Sequence, residues 1–101
     1  MHVISRKRLV AFWERHPEAE SPLTAWYKVA RSGEWANLSD LRTTFSASAD
    51  LVGYCTVFNI GGNRFRLITH IDYEYKRIYV RHVLTHADYD RDAWKGDCGC
   101  G

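Results

Sequence analysis

The sequence predicts an α+β fold: an N-terminal helical hairpin packed on one face of a mainly antiparallel sheet of three to four strands. Three observations lead there. Helix-period apolar residues fill the first half of the chain and strand-like runs fill the second. Gly61-Gly62-Asn63 supplies a tight turn between two of those runs. The 101-residue length, with 46% hydrophobic residues, suits one core and is too short for two.

Met1 to Ser5, with Val3 and Ile4 as its apolar content, reads as a short first strand. Ser5 is placed to cap a helix from residue 6 to about residue 16. Leu9, Val10, Phe12 and Trp13 form its apolar stripe, Arg6, Lys7, Arg8, Glu14 and Arg15 its wet side, and Pro17 ends it. Ser21-Pro22 restarts the chain as cap and first helical residue. Leu23, Trp26, Tyr27 and Ala30 then recur at i, i+3, i+4, i+7, and Gly33 is the natural stop. The short turn between the two helices predicts an antiparallel pair. The aromatic stripe Phe12, Trp13, Trp26 and Tyr27 is read as core. Asn37 or Ser39 caps a third, short helix that carries Leu41 and ends near Phe45.

Residues 46–50 are small and polar and read as a loop. Residues 51–60 read as one strand with apolar residues on both parities, so its faces stay unassigned. After the glycine turn come two runs, residues 64–71 and 77–83, joined by the polar link 72–76. His86 to Arg91 suits a helical turn, and residues 94–101 suit a frayed end. The expected organisation is a single domain to residue 94 and a flexible Cys/Gly tail over residues 95–101.

Strand alternation puts Phe65, Leu67, Thr69 and Ile71 on one face of the first run and Arg64, Arg66, Ile68 and His70 on the other. In the second run Ile78, Val80 and His82 oppose Arg77, Tyr79, Arg81 and Val83. With both apolar sides turned to the core, the opposite sides make one open surface of Arg64, Arg66, His70, Arg77, Tyr79 and Arg81. His86, Tyr89 and Asp90 follow directly. Residues 59–86 hold Arg64, Arg66, Lys76, Arg77 and Arg81 against only Asp72 and Glu74. The formal net charge of +2 is modest, so distribution says more than total. Ten of the 14 basic residues are Arg, whose planar fork suits phosphate.

The three cysteines are Cys55, Cys98 and Cys100. An odd count with one member inside a strand-like run does not read as a disulfide framework. Cys98 and Cys100 form a lone CxC without the second half of a zinc site, so no metal and no cofactor are expected. No apolar run reaches the length of a membrane span, and the basic cluster Arg6-Lys7-Arg8 is not followed by a signal-peptide hydrophobic region. A cytoplasmic protein is the simplest reading.

VFNIGGNRFRLI (57–68) followed by YVRHVLTHADYD (79–90) closely resembles the HigB type of toxin from bacterial toxin–antitoxin pairs, a branch of the RelE-like toxins. The N-terminal MHVIS and the helical pair fit the same pattern, so the resemblance runs to about Trp94. It implies a small α+β fold with helices on one side of a sheet. It implies an mRNA interferase acting on messages in the ribosome, and a cognate helix-turn-helix antitoxin (HigA-like) that inhibits it and through which alone operator DNA is bound. Arg66 matches the family's arginine on the strand after the glycine turn, His86 its basic residue past the last strand, and Tyr89 its following aromatic. Better-known relatives carry Arg or Lys where His86 stands, and lysines on the strand before the turn, where residues 51–60 have none.

The chemistry expected is attack by a ribose 2′-hydroxyl on the adjacent phosphate, which selects RNA and needs no metal. Arg66 and Arg81 would hold phosphoryl oxygens as charge accumulates. His86 would transfer a proton, since an imidazole titrates near about 6.5. Tyr89 would stack on a base or orient the phosphate. Asn63, Arg64, His70, Lys76 and Arg77 would contact message or ribosomal RNA. Each has a plainer reading: Asn63 shapes the turn, Arg64 and Arg77 are solvated, His70 bonds a neighbour, Asp90 caps a turn or pairs with an arginine, His82 is structural. The competing functions are a non-catalytic RNA- or protein-binding module and a gyrase-poisoning toxin on the same fold.

Overall fold

The computed structural model describes residues 1–99. Five strands, β1 (His2–Ile4), β2 (Ala49–Val52), β3 (Cys55–Ile60), β4 (Phe65–Asp72) and β5 (Arg77–Thr85), form one sheet in the order β1-β5-β4-β3-β2. β1 runs parallel to β5 and every other pair is antiparallel. The helices are α1 (Arg6–Arg15), α2 (Glu20–Ser32), α3 (Leu38–Phe45) and α4 (His86–Asp90). The α+β architecture is as the periodicity implies, with one more strand.

One sheet face carries the main core. Phe58, Ile60, Phe65, Leu67, Ile71, Ile78 and Val80 meet Leu9 and Phe12 of α1, Leu23, Trp26 and Ala30 of α2, and Leu41 of α3. Phe58 lies edge-on to Trp26 at 5.3 Å and to Phe45 at 5.0 Å between ring centroids. The helical pair is more splayed over the sheet than a simple hairpin: α1 lies along β5, while α2 lies against β1 and β3. α3 is capped by Asn37, whose side-chain oxygen accepts from the Asp40 amide at 2.9 Å.

Several local expectations are corrected. Residues 51–60 are not one strand but part of a β2–β3 hairpin that turns at Gly53, with φ of 59°. Within β3 both parities are apolar because both faces are covered: Phe58 and Ile60 enter one apolar cluster, Cys55 and Val57 another. α2 begins at Glu20, after a 3-10 turn over Pro17–Ala19, so Ser21 is not its cap. Pro22 falls in the first turn, where its missing N–H costs nothing. Gly61 and Gly62 both take positive φ, 61° and 70°, in a four-residue connection rather than a two-residue one.

The C-terminal segment is the largest difference. Residues 95–98 do not hang free: Ala93–Cys98 is a 3-10 helix with Trp94 and Cys98 buried. Cys55 and Cys98 form a disulfide across 43 residues of sequence. Cys55, Val57, Ile68, Trp94 and Cys98 make a second, smaller apolar cluster on the sheet face away from the helices. Cysteine parity argues against this pairing only weakly, because one of three cysteines is left over. That one, Cys100, lies with Gly101 outside the described residues.

Candidate functional site

β4 alternates cleanly, and Arg66 lies on the face opposite the helices, between Asn59 of β3 and Leu84 of β5. It is only 8% exposed. One guanidinium nitrogen donates to its neighbour's carbonyl, Phe65 O, at 3.2 Å. The guanidinium carbon sits 5.1 Å from the centroid of the Tyr89 ring. Tyr89 in turn stacks on Trp94 at 4.9 Å and 15°, and the Trp94 indole N–H donates to the Tyr89 carbonyl at 2.9 Å. No carboxylate among the described residues pairs with Arg66. A cation taken out of water without a counter-charge is costly, and such groups are normally paired.

Tyr89 and His86 come from α4, a helix of barely more than one turn. Thr85 caps it, its hydroxyl accepting from the Asp88 amide at 3.2 Å. The i, i+3 spacing puts His86 and Tyr89 on one side. The His86 amide donates to the Arg64 carbonyl at 3.2 Å and so ties α4 to the start of β4. The imidazole is exposed, with Nε2 3.3 Å from Asp90 Oδ2. Asp90, expected from sequence to be a cap or an arginine's partner, is thus the partner of the histidine. The i, i+4 spacing in HADYD is the signal for that pair. Arg64, with its guanidinium 5.5 Å from the Phe65 ring, and Asn63 are exposed beside it in the turn. Arg64, Arg66, His86, Tyr89 and Asp90 therefore gather at one end of the β4–β5 hairpin.

The remaining candidates are elsewhere. A β-bulge in β5 interrupts the register: Ile68 pairs with His82, but Thr69 pairs with Val80. Arg81 is the extra residue, and alternation flips across it. The expectation that Arg81 shares a face with Arg66, and that His82 lies with the core residues, is overturned for this reason. His82 comes to the Arg66 side, with Nε2 2.5 Å from Asp97 Oδ2. Arg81 instead lines a cleft beside α1, and its carbonyl accepts from Arg8 at 2.6 Å.

His70, Lys76 and Arg77 sit toward the far end of the hairpin. His70 Nδ1 lies 3.2 Å from the Tyr54 carbonyl, and its ring is 5.6 Å from Tyr54 and 6.3 Å from Tyr79. Lys76 pairs with Glu34 at 3.1 Å. The Arg77 guanidinium is held above its ordinary value, first by a hydrogen bond to Tyr79, then by charge on Tyr79 and Asp72. The single basic floor expected from parity is thus two patches with an apolar cluster between them. Sequence reasoning also missed Trp94, whose packing on Tyr89 joins residues from two separate elements.

Residues 19–92 match the HigB_toxin family model, described as the RelE-like toxic component of a toxin–antitoxin system. The chain is 32% identical over 93 residues to the mRNA interferase toxin HigB of Escherichia coli strain K12, covering 89% of this chain and 88% of that one. It is 30% identical over 94 residues to the mRNA interferase HigB of Escherichia coli O6:H1, covering 90% of each.

Proposed function

The chain belongs to the HigB family of RelE-like toxins, the toxic component of toxin–antitoxin systems, and from that premise we propose that it cleaves messenger RNA at the α4 end of the β4–β5 hairpin. The observation that carries this reading is Arg66, a buried guanidinium with no carboxylate partner among the described residues. A phosphate arriving there supplies the missing counter-charge, and its charge-assisted hydrogen bonds strengthen as the five-coordinate phosphorus gains negative charge.

The reaction proposed needs no metal. The 2′-oxygen attacks the adjacent phosphorus and loses its proton to a base. The P–O5′ bond breaks, and the departing oxygen takes up a proton. The products are a 2′,3′-cyclic phosphate and a 5′-hydroxyl. His86 is the proton-transfer residue. Asp90 Oδ2 lies 3.3 Å from Nε2, within ion-pair range of a protonated imidazole. Asp90 positions the imidazole. Tyr89, engaged by both Arg66 and Trp94, holds the guanidinium in place and is not free to act as a base-stacking platform. Asn63 and Arg64 contact the RNA backbone beside the site. Arg81, His70, Lys76 and Arg77 drop out of the reaction centre and remain as candidate backbone contacts.

The partners are message in the translating ribosome and a cognate helix-turn-helix antitoxin of the HigA kind. Among the described residues no helix is long and apolar enough to cross a membrane, and we place the protein where translation occurs, in the cytoplasm. The test maps 5′ ends on a message translated with the protein present. New ends that disappear with Arg66→Ala and with His86→Ala support the assignment. Cleavage that survives either substitution sinks the role of that residue.

A further inference from the structure

β1 pairs with β5 only as far as Tyr79, whereas β5 runs on to Thr85. On its side away from β4, the second half of β5 is therefore a sheet edge with no neighbouring strand among the described residues. An open edge with free backbone groups invites unwanted pairing and is commonly guarded by charge or by a bulge. Both devices are present. The bulge at Arg81 kinks the edge, and Arg8 of α1 takes the Arg81 carbonyl.

The same devices assemble something more specific. Arg8 and Arg15 lie seven residues apart on α1, two helical turns on one side. With Arg81 they wall a shallow cleft of about 260 Å³ that also touches Phe12, His82 and Val83. No carboxylate among the described residues lines it. None of the three arginines forms an ion pair with a described residue, and all are exposed. Asp97, the acid beside His82, is engaged by that imidazole at 2.5 Å. Three guanidinium groups around one depression repel each other unless an anion joins them.

A second hollow lies beside this cleft. His82 lines the cleft on one side and on the other lines that hollow, formed with Leu84, Asp88, Arg91 and Trp94. Asp88 there is paired with Arg91 at 3.7 Å, and Trp94 is the residue stacked on Tyr89. His82 thus stands between two hollows along the free edge of β5, one beside α1 and one beside α4.

Resting on the nuclease reading above, we propose that this edge is an RNA track. Arg8, Arg15 and Arg81 hold successive phosphates of a single strand whose scissile nucleotide lies at α4. The chemistry recognised is a run of ribose phosphates of the message.

The test replaces Arg15 and Arg81, leaving Arg8 to close the bulge, with circular dichroism and urea unfolding as checks of the fold. In Arg15→Ala/Arg81→Ala, binding of a single-stranded RNA of about 12 nucleotides, read by fluorescence anisotropy, is expected to weaken about tenfold. The slope of log affinity against log salt is expected to flatten by about 1.4, at about 0.7 for each phosphate no longer neutralised. A trinucleotide, too short to reach from α4 to α1, is expected to bind both proteins alike. Arg15→Lys/Arg81→Lys should keep most of the affinity and the salt slope. In the second arm, cleavage of a translated message should need more toxin with the Ala pair; a loss confined to this arm, with binding of the free strand unchanged, overturns the track in favour of ribosomal RNA. Unchanged binding and unchanged cleavage overturn the track. So does a loss of antitoxin binding alone, which makes the edge a protein surface. If the wild-type protein creates no new 5′ ends, the nuclease reading fails, yet the anisotropy series still decides whether the edge holds RNA.

Discussion

The two faces of the sheet are built from the same strands but closed in different ways. The helix side is closed by a broad apolar contact in which Phe58, Leu67 and Ile78 are fully buried among α1, α2 and α3. The other side is closed by a strap of six residues, one disulfide and a row of stacked groups that ends on an arginine. The first arrangement stores stability in many interchangeable contacts. The second concentrates polar and aromatic groups, and one covalent bond, in few, specific ones. Adjacent residues of β4 make the contrast sharp, since Arg66 and Leu67 point to opposite sides.

That pair gives the largest expected effects. Arg66→Ala should lower cleavage of a translated message by about 10²–10³-fold, the range for losing a preorganised donor to a developing oxyanion, with only a small change in denaturation midpoint. Arg66→Lys should recover little, because two-pronged geometry is lost. Leu67→Ala should do the reverse, destabilising the fold by about 2–5 kcal/mol in urea unfolding while leaving the rate per folded molecule near wild type. If Arg66→Ala instead unfolds the protein and spares the rate of what remains folded, the division between the faces is wrong.

The next effect concerns the strap. Cys55→Ser, or reduction, should cost about 2–4 kcal/mol, as expected for opening a closure of this length, and Cys98→Ser should cost the same. The double variant should cost no more than either alone. Because Trp94 then loses its covalent anchor, hydrogen exchange at the Trp94 indole should speed up before that of the helix-side core. Equal speeding on both sides would mean that the strap and the core open as one unit.

Legibility in the sequence follows the same division. Helix periods at Leu23, Trp26, Tyr27 and Ala30, and alternation at Phe65, Leu67 and Ile71, can be read because each element buries one continuous stripe and the signal is local. The α3 cap is narrowed to Asn37 or Ser39, of which Asn37 caps, and the helical turn after Thr85 is legible for the same reason. The strap is not. Its contacts, Cys55 to Cys98 and Tyr89 to Trp94, join residues that no local pattern relates, and an odd cysteine count points the other way. The bulge at Arg81 is invisible too, because one extra residue leaves composition and propensity unchanged while it reverses every later side chain. Hence Arg66, His86 and Tyr89 meet at one place as expected, while Arg81 and His82 exchange sides.

The smallest expected effect tests whether the two sides differ even where the local physics is identical. Thr85 caps α4 and Asn37 caps α3, each by one side-chain oxygen accepting one backbone N–H. Replacing either by Ala should cost about 1 kcal/mol of stability. α3 carries Leu41 into the core and nothing of the site, so Asn37→Ala should leave the rate unchanged once the folded fraction is allowed for. α4 holds His86 and Tyr89 on five residues, too few to stay helical without a cap. Thr85→Ala should therefore lower kcat several-fold beyond its effect on folding. Stability is read by urea unfolding and rate by single-turnover cleavage of the same preparations. Matched losses of rate in the two variants would show that α4 is held by its packing on β4 and β5 and not by its own end, and His86 would then be positioned from below, through the Arg64 carbonyl.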